Sequence, residues 1–155
     1  MSTGDDTKLM RQMRGWADQT EHFYRDVAAQ IDNKQLAQVL LNCANDRAAI
    51  IERLDEVIAE LGGSATDESV ERCCDREEFR MAANEDFGTL LERLADCDMN
   101  IRDRFAEMLD GADIKASTHL IADEAQLLLE HTAKKLRRIV TQARNANFAA
   151  ALEAE

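Results

Sequence analysis

Apolar residues recur along this chain in steps of three and four, the spacing of one face of an α-helix. Leu9, Met13, Trp16, Thr20, Phe23, Val27 and Ile31 form the first stripe and predict a helix over 6–31. Asp32-Asn33 breaks the pattern, and Asp32 with Gln35 three residues on resembles a capping box for the next helix. The second stripe is Leu36, Leu40, Cys43, Arg47, Ile50, Leu54, Val57 and Leu61, predicting a helix over 33–61 that Gly62-Gly63 stops. Residues 64–85 are less regular, with helix-start signals at Asp75 and Asn84 that suggest a short helix and a bend. Phe87, Leu91, Leu94, Asp98, Ile101, Phe105 and Met108 then carry a third stripe, within a helix predicted over 79–110 and ended by Gly111. Asp113 is the expected cap of a last helix over 114–146, with Ile114, Ile121, Leu128, Leu136 and Ile139 on its inner face. The tail NANFAAALEAE prolongs it as a frayed end.

The expectation is therefore an all-α, four-helix bundle in one domain. Short links make two antiparallel hairpins, helices one and two, then three and four. One unbroken helix through residues 66–110 would overshoot the bundle. A crossover containing a short helix, the ferritin-like connection, is the preferred arrangement. An up-down-up-down bundle with an extra short helix is the alternative.

Composition agrees with this. The 155 residues are 45% hydrophobic and 32% charged, without proline, which suits long helices with one apolar face. Aromatics make up only 5%, so aliphatic side chains must fill the core. A formal charge of −12 disfavours nucleic acid as a partner and attracts cations. The excess is uneven: Lys134, Lys135, Arg137, Arg138 and Arg144 form a basic stretch. It reads either as a cationic helix C-terminal half favoured by the macrodipole or as a docking patch for an acidic partner. No apolar run is long enough to span a membrane, and the opening MSTGDDTK is not a secretory signal, so a cytoplasmic location is expected. Cys43, Cys73, Cys74 and Cys97 form no CxxC pair. Reduced thiols are the expectation, with Cys43 a small buried hydrophobe and a redox role for Cys73 or Cys74 as the sharper alternative.

Arg47 falls in the middle of an apolar stripe. Counting through the turns puts it level with Thr20 and Glu21 on the first helix, Asp98 on the third and Glu124 on the fourth. An isolated interior charge is very costly, so Arg47 is expected to face Asp98, Glu124 or both. Two readings follow: an ion pair that fixes helix register, or a metal or small-anion site in the bundle core. A ferritin-type di-iron centre needs a Glu-x-x-His step on two helices. Here His22, His119 and His131 are preceded at that spacing by Gln19, Ala116 and Leu128. Arg47 would moreover oppose two divalent cations. A weaker mononuclear site built from Glu21, Asp98, Glu124 and His131 remains the metal candidate. No nucleophile–base pair, phosphate loop or GxSxG motif is present, so no catalytic residue is assigned.

The segment FYRDVA, followed by LLNCANDRAAIIERLDEVIAELGG, resembles a bacterial family of unknown function made of four-helix bundles in the ferritin-like superfamily. The matching features are Tyr24, Ala28, Ala44, Arg47, Leu54 and the closing Leu61-Gly62-Gly63. LADCDMNIRDRF adds an acidic position at Asp98 after Cys97, and Phe105 stands where relatives have a tyrosine. The similarity spans about residues 9–140. It implies a ferritin-like bundle of bacterial origin and no particular activity. The functional expectation is a non-enzymatic interaction or stress-related protein without cofactor, working as a homodimer or with a protein partner. The alternative is a protein that stores or senses iron or another divalent metal.

Overall fold

The computed structural model describes residues 3–63, 72, 74, 79, 87–111 and 113–154. Among them are four α-helices and no strand: α1 (Thr3–Gln30), α2 (Lys34–Glu60), α3 (Phe87–Leu109) and α4 (Ala116–Ala154). Both ends of α1 and α2, the end of α3 and the start of α4 fall within three residues of where the stripes predict. α4 runs on to Ala154, beyond the expected 146. The third helix is described from Phe87, and residues 80–86, over which it was expected to begin, lie outside the described residues. The short helix expected between Asp75 and Asn84, and Cys73, lie outside the described residues.

Local chemistry explains the turns. Asn33, not Asp32, caps α2: its backbone is extended (φ −70°, ψ 110°) and its side-chain oxygen accepts from the Leu36 N–H. This satisfies one of the four unbonded donors of the first turn. At the other end Gly62 takes φ 81°. Its N–H donates to the Ala59 carbonyl, and that of Gly63 donates to the Ile58 carbonyl. This is a Schellman closure, which needs a left-handed residue at the first glycine. Gly63 is needed for another reason. A Cβ there would lie 2.7 Å from Thr7 Cγ2, so the end of α2 sits directly on the start of α1.

The start of α4 is held from a distance. Asp6 on α1 is fully buried, and its Oδ2 accepts from the Thr118 hydroxyl (2.6 Å) and the Lys115 N–H (3.0 Å). A carboxylate there also faces the positive end of the helix dipole. Asp6→Ala should lower unfolding free energy by about 1–3 kcal/mol, since it orphans a buried hydroxyl and an N–H. Denaturant titration of the two proteins checks this.

α1 packs along α2, and α3 along α4; α1 also touches α3 and α4, and α2 touches α4. The core takes Met10, Met13, Trp16, Tyr24 and Val27 from α1, and Leu40, Leu54 and Ile58 from α2. It takes Leu90, Leu91 and Leu94 from α3. On α4 the inner face mixes small and large residues: Thr118, Ala122, Ala125, Thr132 and Ala133 are buried beside Ile121, Leu129, Leu136 and Val140. Ile114, Leu128 and Ile139, expected inside, lie at its partly buried edge. Trp16 packs against Phe105, with ring centroids 4.8 Å apart.

The link between α2 and α3 is fixed to α1 at Phe79. Its ring stacks on Phe23 at 4.4 Å, and its carbonyl accepts from Gln30 Nε2 at 2.8 Å. Arg72 and Cys74 border a hollow with Asp18, His22 and Phe23. The described link residues thus lie along the second half of α1. No helix among the described residues is long and apolar enough to cross a membrane.

Candidate functional site

The mid-bundle polar layer exists, and Asp98 is its centre. Arg47 and Asp98 are each 1% exposed. Arg47 Nη2 donates to Asp98 Oδ2 at 2.7 Å. The Tyr24 hydroxyl donates to the same oxygen at 2.6 Å. Arg47 Nη1 donates to Thr20 Oγ1 at 3.2 Å, and that hydroxyl donates onward to the carbonyls of Trp16 and Ala17. The guanidinium carbon also lies 5.4 Å from the Tyr24 ring centroid, within cation–π reach. One cation, one carboxylate, one phenol and one threonine from α1, α2 and α3 therefore form a single buried network.

The other residues expected in this layer are elsewhere. Glu124 is about half exposed and pairs with Arg53 on the surface. Counting through the Gly111 turn misplaces its height as well as its rotation: the pairs Asp96–Arg137 and Arg102–Glu130 set Asp98 level with Lys134 and Lys135, about three turns beyond Glu124, whose side chain α4 turns outward. Glu21 binds Arg25 one turn along α1. His131 is exposed on α4. The four metal candidates are thus dispersed, and no group of three or more His, Cys, Asp or Glu among the described residues could hold a metal ion. Tyr24 escapes the stripe count because it sits beside Phe23. The usable signal was its position four residues after Thr20, which puts both on one face.

Burial governs the protonation of this cluster. It raises the Asp98 carboxyl above its ordinary 3.8, against the opposing pull of Arg47 and the hydrogen bonds from Tyr24 and Arg47. Burial also works against the Arg47 charge, but Asp98 and then Tyr24 outweigh it, and the guanidinium is held more firmly protonated. Burial and the neighbouring Asp98 charge push the Tyr24 phenol well above its usual range. The Cys43 thiol is raised by burial despite Lys135 and Arg47, which disfavours the nucleophilic thiolate.

A raised folded pKa at Asp98 stabilises the fold below the unfolded value, and that contribution is lost as pH rises through the folded value. Relative to Asp98→Asn, the wild-type protein should therefore gain unfolding free energy as the pH falls from neutral to below 3.8. Denaturant titrations of both proteins across that range check the sign. A relative loss in acid would show a net stabilised carboxylate instead.

Beside Arg47, the side chains of Met13, Trp16, Ile50, Leu54 and Phe105 leave an apolar cavity. Its space open to the centre of a water-sized sphere is about 20 Å³, enough for one water and not for an organic ligand. The arrangement can hold α1, α2 and α3 in one register. Asp98 Oδ1 and Arg47 Nε are buried there without a hydrogen-bond partner, and among the described residues the layer holds no activated nucleophile and no space for an organic substrate.

No family model, curated protein or solved structure matches the chain.

Proposed function

We propose that this protein is a ferritin-like bundle, bacterial and cytoplasmic, in which an ion pair stands where such bundles house a metal centre, and which acts through protein contacts rather than chemistry. The observation that carries this is the Arg47–Asp98 bond, sealed by Tyr24 and 1% exposed at either end. A buried pair of this kind fixes which helices meet and at what height, at some cost in stability.

Contact order supports the ferritin-like arrangement. On α1 and α2, Arg14 meets Asp55 and Arg25 meets Asn45, so rising numbers meet falling ones. The same holds for α3 and α4, where Asp96 meets Arg137 and Arg102 meets Glu130. It holds again for α1 and α3, through Trp16–Phe105 and Tyr24–Asp98. α2 and α3 would then run the same way, and the link between them must return along the bundle. Its anchors on α1 trace that path.

The deciding experiment is elemental analysis of protein expressed with added iron, manganese and zinc, followed by melting curves with each ion. The expected result is no stoichiometric metal and no metal-dependent shift in Tm. One or two equivalents of retained metal, lost on Asp98→Asn, would overturn the reading.

A further inference from the structure

The outer face of α4 carries a pattern that the bundle does not use. Leu120 and Leu127 are 67% and 64% exposed, the two large hydrophobic side chains left in solvent among the described residues. They are seven residues apart, so they lie on one line of the helix. That line continues through a strict four-three alternation: Leu120, Glu124, Leu127, His131, Lys134, Arg138. All six are exposed. This is the spacing of a two-helix coiled-coil seam, with leucine at two of its six positions, and it lies opposite the buried face of Ala122, Ala125, Leu129 and Leu136. Charge is divided along it. The acidic residue stands towards its start, and the two basic ones close its end.

We propose that a second copy of this chain docks here, with α4 against α4 in antiparallel orientation about a two-fold axis between Leu127 and His131. This rests on the reading of the protein as a contact module and names its partner. A two-fold contact must be self-complementary, and only antiparallel pairing makes this seam so. Every seam residue then meets a seam residue of the other copy. Glu124 meets the partner's Lys134, twice by symmetry. Leu127 meets the partner's His131, which sets the two copies of Leu127 about one helical turn apart, across the axis. Leu120 lies along the aliphatic stem of the partner's Arg138, whose charged head reaches water. A parallel pairing would instead stack Lys134 on Lys134 and Glu124 on Glu124. The same geometry gives Lys134, at the start of the basic stretch of α4, an acidic complement within the chain's own sequence. Intrachain bonds do not prevent it: Glu124 to Arg53 and Lys134 to Glu130 are exposed pairs, of little worth, that can exchange partners.

Sedimentation equilibrium over a concentration series tests the proposal, with circular-dichroism melts confirming that each variant keeps its bundle. The wild-type protein should dimerise reversibly. Leu127→Asp should abolish the dimer while keeping the Tm that the wild-type protein shows at concentrations where it is dissociated, and Leu120→Asp should weaken the dimer in the same direction. Glu124→Lys alone and Lys134→Glu alone should each raise the dimer Kd roughly tenfold, because two symmetry-related attractions become repulsions. The double swap, Glu124→Lys with Lys134→Glu, should restore the wild-type Kd. A strict monomer at the highest soluble concentration overturns the proposal. So does a dimer indifferent to Leu127→Asp, or a double swap as weak as either single change. Metal content is measured separately, so failure here leaves the non-catalytic reading standing.

Discussion

Arg47→Ala should lower unfolding free energy by about 3–5 kcal/mol, the usual cost of breaking a buried ion pair by removing one partner. The change leaves Asp98 at 1% exposure without its cation, and Thr20 without its donor. It also empties the volume of one of the largest fully buried side chains. The loss should shrink in acid. Asp98 is already raised by burial, and once protonated it no longer needs a counter-charge. The control is replacement of the whole network. Arg47→Met combined with Asp98→Leu and Tyr24→Phe leaves no polar group stranded and should recover most of the stability, as exchange of buried ion pairs for apolar side chains often does. Denaturant titrations with an unchanged slope would show that stability alone moved. A thermally silent Arg47→Ala would sink the account of this layer.

Phe79→Ala should cost a similar amount, about 3–5 kcal/mol, although the residue lies between helices. Phe79 is 1% exposed and stacked on Phe23, and its backbone is bonded to Gln30. Losing the ring removes a core aromatic and releases the link from the end of α1. The companion readout is limited proteolysis, which should cut the 64–86 link faster in the variant, while cleavage inside α1 and α2 follows only global unfolding. Phe87→Ala, at a half-buried position, should cost less. Equal losses at both sites, or none at Phe79, would show that the link is not pinned there.

The function expected of the chain turns on the same few residues. Carboxylates and a histidine expected at similar heights on several helices suggested a metal site, but counting through the turn before α4 misjudges height, and Glu124 lies about three turns from the level of Asp98. Whether those groups meet depends also on how each helix is rotated about its axis. Asp98 is turned inward to Arg47, and Glu124 outward to Arg53. The rotation of α4 was hard to read because alanine and threonine hold five of its nine buried positions among the described residues. Large residues such as Leu128 and Ile139 line its edge and mark the wrong centre. Its outermost line holds Leu120 and Leu127, which a search for core positions passes over.

The amino-acid sequence alone determined the helices, the turn at Gly62-Gly63 and the interior placing of Arg47. Each depends on the helical period or on local backbone preference, which neighbouring residues carry. The tertiary structure decided which acid receives Arg47 and that Tyr24 shares it. It also decided that Asp6 holds a helix start 112 residues away. Those pairings are set by the packing of whole faces against one another. Hydrophobic burial decides that packing collectively, and no short window of sequence contains it.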